Sequence, residues 1–269
     1  MLQFPPRRIL VAVEFSKESI FAWEAAKDLA ARFDASLEAV YCTGQAAAPQ
    51  VGLQNLSRWP DFRGAALKRL RERLGPGTRL HTVNADPVFA IIRLARDRAC
   101  DLIVMGTRRR AGFERWVQGS TAEGVVHGAP CPVLVVPRAW RAPRWVLAPV
   151  HEAAYARRGL LAAATLARAY QGRLSMLEVV RDPARRSYAA KRLSVQAERL
   201  PPALVRGVRP ELQVRAGNPI SEILRASRGQ DMIVLVARRK SLFGDMVLGT
   251  TVERVLRHSP LPVLAMTSP

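Results

Sequence analysis

The sequence predicts an α/β protein of two tandem doubly wound domains, each an open, mostly parallel five-stranded sheet flanked by helices. Three observations predict it. At 269 residues the chain has room for two domains of ordinary size. The second half repeats the first: "CDLIVMGTRRRAGFERWVQGSTAEGVVHGAPCPVLVVP" (100–137) is answered by "QDMIVLVARRKSLFGDMVLGTTVERVLRHSPLPVLAMT" (230–267). Asp101 and Asp231, Gly119 and Gly249, and Pro132 and Pro262 fall in matching places. Within each half, short Val/Ile/Leu runs that are apolar throughout alternate with helical patterns, as a parallel sheet buried on both faces requires. A repeat this long is a duplicated domain, not a solenoid.

The elements of the first half follow in order. "ILVAV" (9–13) reads as the first strand, and the amphipathic "SIFAWEAAKDLAARF" (19–33) as the helix that returns from it. "LEAVYC" (37–42) is the second strand. A Pro/Gly/Gln-rich stretch then leads to the helix "LKRLRERL" (67–74) and the strand "RLHTV" (79–83). "PVFAIIRLARDRA" (87–99) is a helix with Asp86 as N-cap and Pro87 at its first position. "LIVM" (102–105) and "PVLVV" (132–136) complete the five strands. In the second half, "PRWVLAPVHE" (143–152) answers "RRILVAVEFS" (7–16), and "AGNPISEILRAS" (216–227) answers "NADPVFAIIRLAR" (84–96).

The right-handed crossover rule turns this order into a doubly wound sheet, whose ligands bind beyond the carboxyl ends of its strands. Domains are expected at 1–138 and 145–269, with 139–144 as a linker inside the proline-bearing "PRAWRAPR". The last apolar strands, "PVLVV" and "PVLAM", would otherwise leave exposed edges. The halves are therefore expected to pack on each other about a pseudo-twofold axis through them.

A hydrophobic content of 49% excludes a disordered chain. The longest apolar runs have strand length, so no membrane partner is expected. No signal-like apolar run precedes the first strand, and the expected location is cytoplasmic. Cys42, Cys100 and Cys131 show no CxxC spacing and read as reduced structural thiols.

The charge is +20, from 42 Lys+Arg against 22 Asp+Glu. Residues 1–139 hold 20 basic and 13 acidic residues, net +7; residues 140–269 hold 22 and 9, net +13. Such a field favours anionic partners without naming one. The five tryptophans are scattered without basic–aromatic alternation, so nucleic acid is expected to bind only non-specifically, if at all. "RDPARRSYAAKR" (181–192) reads as a solvated helix face.

P-loop and nucleophile-elbow motifs are absent. His81, His127, His151 and His258 share no metal-type spacing with each other or with a cysteine. His127 and His258 fall near the ends of equivalent helices, where an imidazolium suits the dipole. The stretch "GTRRRAGFERWVQGST" (106–121) is the one that suggests a ligand. Glycines let the backbone turn and approach an anion closely. The closing Gly-Ser opens a helix, whose unpaired N–H groups and dipole attract negative charge.

"DLIVMGTR", "GSTAE", "APCPVLVVP" and "GTTVERVLRHSPLPVL", in that order, resemble the universal stress protein (UspA) family, and the resemblance runs from about Arg7 to Met266. It implies an adenine nucleotide alpha hydrolase-like, Rossmann-like fold and a stress-response or regulatory role. Nucleotide-binding members carry Gly-x2-Gly-x9-Gly-Ser/Thr after the fourth strand and an Asp at the end of the first. The first half keeps Gly106, Gly119 and Ser120, with Arg109 at the second glycine and Glu14 at the Asp. In the second half Val236, Arg239 and His151 take those places, and only Gly249 and Thr250 remain.

The resemblance thus implies ATP, with Mg when bound, held weakly or conditionally in the first half. Ala12, Glu14 and Val40 would line the base and ribose. Met105, Gly106, Arg108, Arg109, Gly119, Ser120 and Thr121 would hold the phosphates. Arg109 and Arg239 admit two readings: guanidinium donors that capture an anion, or a loop that no longer binds one. The alternative function is a non-nucleotide scaffold or sensor acting through its domain interface or an unknown ligand. No nucleophile–base pair is present, so no enzyme is expected beyond slow hydrolysis of a bound ATP. Single-domain members pair through the final strand, and a homodimer of the whole chain is expected as well.

Overall fold

The computed structural model describes residues 4–43, 60–107, 120–150, 156–208, 210–238, 240–242, 245–247 and 250–268. The first half runs β1 (Arg8–Ala12), α1 (Lys17–Phe33), β2 (Ser36–Cys42), α2 (Pro60–Leu74), β3 (Arg79–Val83), α3 (Pro87–Asp97), β4 (Leu102–Gly106), α4 (Ser120–Gly128) and β5 (Val133–Val136). The second runs β6 (Trp145–Val150), α5 (Ala156–Ala169), β7 (Arg173–Val180), α6 (Arg186–Glu198), α7 (Pro202–Val205), β8 (Pro210–Ala216), α8 (Pro219–Ala226) and β9 (Met232–Arg238). A hairpin of β10 (Lys240–Leu242) and β11 (Asp245–Val247) follows, then α9 (Thr250–His258) and β12 (Val263–Ser268).

Local chemistry explains the element ends. Ser16 caps α1 by accepting from the Ser19 N–H, and Asp34 closes it in the left-handed region at φ 52°. Asp86 and Asn218 cap α3 and α8 alike, each accepting from two N–H groups with a proline at the first helical position. The matching aspartates of the repeat pin the strand starts. Asp101 accepts from the N–H groups of Arg7 and Arg8, and Asp231 from those of Arg144 and Trp145. Helix α2 begins at Pro60, earlier than the expected Leu67. Proline suits a first helical turn, but the sparse apolar content of "PDFRGAA" hides the start from a periodicity reading.

The strands form one ten-stranded sheet in the order β3-β2-β1-β4-β5-β12-β9-β6-β7-β8. In this sheet all pairs within a half are parallel, and β5 and β12 join the halves antiparallel; β10 and β11 pair antiparallel apart from it. Leu134 faces Leu264, while Val133 faces Ala265 and Val135 faces Val263. Since Leu134 and Leu264 are equivalent in the repeat, the pseudo-twofold axis passes between them.

Helices α4 and α9 respect the same axis. Arg257 donates to Glu123, and His127 Nε2 lies 2.9 Å from Glu253 Oε1. Each carboxylate sits at one repeat position and meets the basic side chain of the other, as an isologous contact demands. His127 thus serves the junction between halves rather than its own helix end. On the opposite face Asp28 Oδ2 accepts from Trp140 Nε1 (2.8 Å) and the Tyr170 hydroxyl (2.6 Å), tying α1 to the linker and to the end of α5.

Two apolar layers cover the sheet, each drawing residues from both halves. One holds α1, α2, α5 and α6 through residues such as Trp23, Leu70, Leu166 and Leu193. The other holds α3, α4, α8 and α9 through Ile91, Val125, Ile223 and Val255. All three cysteines are unpaired and buried, and burial pushes the Cys42 and Cys100 thiols up to about 11, which makes them poor nucleophiles at neutral pH.

At the β2–β3 corner, Glu38 accepts from Arg98 Nη2 at 2.7 Å and lies 2.6 Å from His81 Nε2. The Arg98 hydrogen bonds outweigh burial and, with His81, lower this carboxyl from 4.5 to about 2. A depressed folded value stabilises above pH 4.5 and loses that contribution as pH falls towards 2. Glu38→Gln is therefore expected to cost about 2 kcal/mol at pH 7, after discounting for partial exposure. Urea midpoints of wild type and variant should converge between pH 4.5 and about 2; a gap that persists there would refute the assignment.

Candidate functional site

The sheet register brings three of the expected site residues into one row. Ala12 pairs with Val40 on β2 and with Met105 on β4, so the three lie abreast at the carboxyl ends of adjacent strands. Val40 and Met105 are buried and Ala12 packs against them, under the face covered by α3 and α4. The Val13 N–H donates to the Val40 carbonyl at 2.9 Å, carrying the pairing one residue past β1.

Glu14 lies in the turn between β1 and α1. Its N–H donates to Ser19 Oγ at 2.8 Å, which sets the backbone of the turn while the residue stays part-exposed. Phe15 follows it, half exposed, and meets Tyr41 edge-on with ring centroids 5.4 Å apart. This aromatic pair rims the row at the ends of β1 and β2. Sequence reasoning misses it because Phe15, in the turn after β1, and Tyr41, on β2, lie far apart in the chain; an aromatic directly after Glu14 is the only local sign.

Gly106 is the next residue on β4 after Met105. A β-carbon there would stand 2.5 Å from the Glu18 carbonyl oxygen and 2.6 Å from its carbon. Its missing side chain thus admits the first turn of α1, whatever else it allows. Thr107 follows, and its Oγ1 is buried with no hydrogen-bond partner among the described residues. A buried hydroxyl without a partner is costly, so Thr107 marks a place where a polar group is wanted. It was not among the expected residues, since threonine after the strand carries no signal by itself.

Helix α4 starts at Ser120, with Thr121 half-buried and Glu123 in the first turn. Its direction, between parallel β4 and β5, turns its N-terminus towards the carboxyl ends of the strands. Arg108, Arg109 and Gly119 lie outside the described residues, as do His151, Arg239 and Gly249. Among the described residues no group of His, Cys, Asp or Glu could hold a metal. A groove of about 430 Å³ between α1 (Ile20, Phe21, Glu24, Asp28) and Trp140–Arg141 includes none of the expected site residues.

The second half differs in a way that only packing reveals. Val236 stands where Gly106 stands in the first half. Counted on from the matched pair Glu14 and His151, Gly159 of α5 answers Ala22 of α1. A β-carbon on Gly159 would come within 2.2 Å of Val236 Cγ2. The glycine has moved from the strand to the helix, and the valine fills the space it leaves.

No helix among the described residues is long and apolar enough to cross a membrane. The model of the universal stress protein family matches the chain twice, over residues 6–137 and 144–266. A universal stress protein of Methanocaldococcus jannaschii is 34% identical over 140 residues, covering 48% of this chain and 81% of that protein. A putative universal stress protein of Staphylococcus haemolyticus is 31% identical over 138 residues, 48% of this chain and 84% of its own. Among solved structures, a universal stress protein of Archaeoglobus fulgidus superposes over 98% of this chain and 99% of its own, with a TM-score of 0.75 at 20% identity.

Proposed function

The chain belongs to the universal stress protein family, and from that premise we propose that it is a cytoplasmic, non-enzymatic stress-response protein that binds ATP weakly or conditionally in its first half. The observation that carries the reading is the row Ala12, Val40 and Met105 leading to the unpartnered Thr107 hydroxyl. A phosphate or ribose oxygen is the kind of group that hydroxyl lacks. In the proposal the base lies along Ala12 and Val40, with the Phe15–Tyr41 pair at its rim. The Glu14 carboxylate accepts from the ribose, and the Ser120–Thr121 end of α4 takes the phosphates together with Gly119, Arg108 and Arg109. The same proposal includes a homodimer of the whole chain. Val236 and His151, which stand where the first half has Gly106 and Glu14, support restricting the site to the first half. They also favour a second reading for residues 145–269, as a scaffold that braces the first half through the joined sheet.

Calorimetric titration with ATP tests the proposal. Gly119 precedes the first residue of α4, so Gly119→Val should abolish binding, while Gly249→Val leaves it nearly intact. Replacing Arg108 and Arg109 with Ala removes two charged donors, each worth about 1.5–3 kcal/mol when fully engaged. Affinity should fall at least tenfold, and most at low salt. Thr107→Val, which keeps the shape and drops the hydroxyl, should weaken binding without unfolding. Equal loss from Gly249→Val would move the site to the second half. No heat in the wild type would leave the scaffold reading.

A further inference from the structure

Between residues 181 and 206 the chain carries seven cations and two carboxylates. One carboxylate, Asp182, is used locally: it accepts from the Ala184 N–H and caps the turn that leads into α6. Among the described residues only Arg192 of the seven cations has an ion pair, with the buried Glu178 beneath it. Some cations on other helices stand beside carboxylates, as in Lys27–Glu24, Arg225–Glu222 and Arg257–Glu123. Among the described residues Arg181, Arg185, Arg186 and Lys191 make no ion pair, and all four are exposed.

An aromatic ring lies in the middle of this charge. Tyr188 is 65% exposed, and the Arg192 guanidinium sits 5.1 Å from its ring centroid. Arg185, three residues before it, and Lys191, three after, share its side of the helix. The tyrosine contributes nothing to the core, whose α6 residues are Ala189 and Leu193, both fully buried. That burial also leaves α6 no apolar face to enter a bilayer.

We propose that the exposed face of α6, centred on Tyr188 and flanked by Arg185 and Lys191, binds single-stranded nucleic acid without sequence preference. Phosphates suit the unpaired cations and a base suits the exposed ring, and every base offers a π-face. An acidic protein segment would use the cations and leave the ring idle. The surface lies on α6 of the second half, apart from the Ala12, Val40 and Met105 row, so it is independent of ATP binding in the first half.

Fluorescence anisotropy of the full chain with a labelled oligouridylate of roughly 12 nucleotides, repeated across salt concentrations, tests this. Tyr188→Ala, at an exposed position, should weaken binding about five- to a hundredfold and leave the salt slope unchanged. Arg185→Ala with Lys191→Ala should flatten that slope by about 1.4, the value for two phosphate contacts on a single strand. Arg93→Ala with Arg96→Ala on α3 removes the same charge elsewhere and should change neither affinity nor slope appreciably. Equal losses from the α3 and α6 pairs, or a silent Tyr188→Ala, would overturn the proposal in favour of attraction by net charge alone. Displacement of the oligonucleotide by polyglutamate at equal charge concentration would overturn it in favour of an acidic protein partner.

Discussion

Gly106→Val is expected to destabilise the protein by about 3 kcal/mol, at the upper end of what overpacking a core costs. The β-carbon would meet backbone, the Glu18 carbonyl at 2.5 Å, and backbone cannot swing aside as a side chain can. In the second half the clash is with a side chain, Val236 Cγ2 at 2.2 Å from a β-carbon on Gly159. Gly159→Ala should therefore cost about 1–3 kcal/mol alone, and much less beside Val236→Ala, which removes the obstructing methyl groups. Denaturant unfolding of the two singles and the double gives the coupling directly. It should be about 1 kcal/mol or more, well outside the scatter of independent sites. Additive effects would mean that the helix simply shifts, and that the exchange of glycine between strand and helix has no energetic content. No second substitution in a side chain should rescue Gly106→Val.

That exchange also marks where reading a sequence stops. Features with local causes were legible: the Asp86-Pro87 and Asn218-Pro219 helix starts, the apolar strands, and the final strands that needed a partner edge. The expected site is legible as far as its register, because Ala12, Val40 and Met105 lie near the carboxyl ends of apolar runs and parallel pairing aligns such positions. What was hidden depends on pairs far apart in the chain. Gly106 is expected beside a phosphate, and its missing side chain also admits a helix turn of α1. Val236 replaces the motif glycine, and its packing against Gly159 is visible only in the fold. Thr107 and the Phe15–Tyr41 pair have no sequence signature, since one is defined by a missing partner and the other by a turn that reaches the neighbouring strand.

Leu134→Asp and Leu264→Asp are expected to be about equally damaging, each costing more than the 2–5 kcal/mol of a buried Leu→Ala change. Both leucines are fully buried and face each other across the only antiparallel pair of the ten-stranded sheet. A carboxylate there would lie between two apolar layers with no partner, and desolvation adds to the lost packing. Because the axis runs between the two residues, neither half is privileged, and a large inequality in denaturant midpoints would argue against it. The same geometry fixes what residues 1–138 should do when expressed alone. The β5 edge, covered in the whole chain by β12, would be exposed, and the cheapest cover is β5 of a second copy in the same antiparallel register. Leu134 would then face its own counterpart. Glu123, which meets Arg257 in the intact protein, would meet His127 of the other copy, since His127 and Arg257 hold the same repeat position. Sedimentation at neutral pH should therefore find a dimer of residues 1–138 that Leu134→Asp dissociates or unfolds. A stable, soluble monomer would show that the halves are joined by the linker and not by the strand edges.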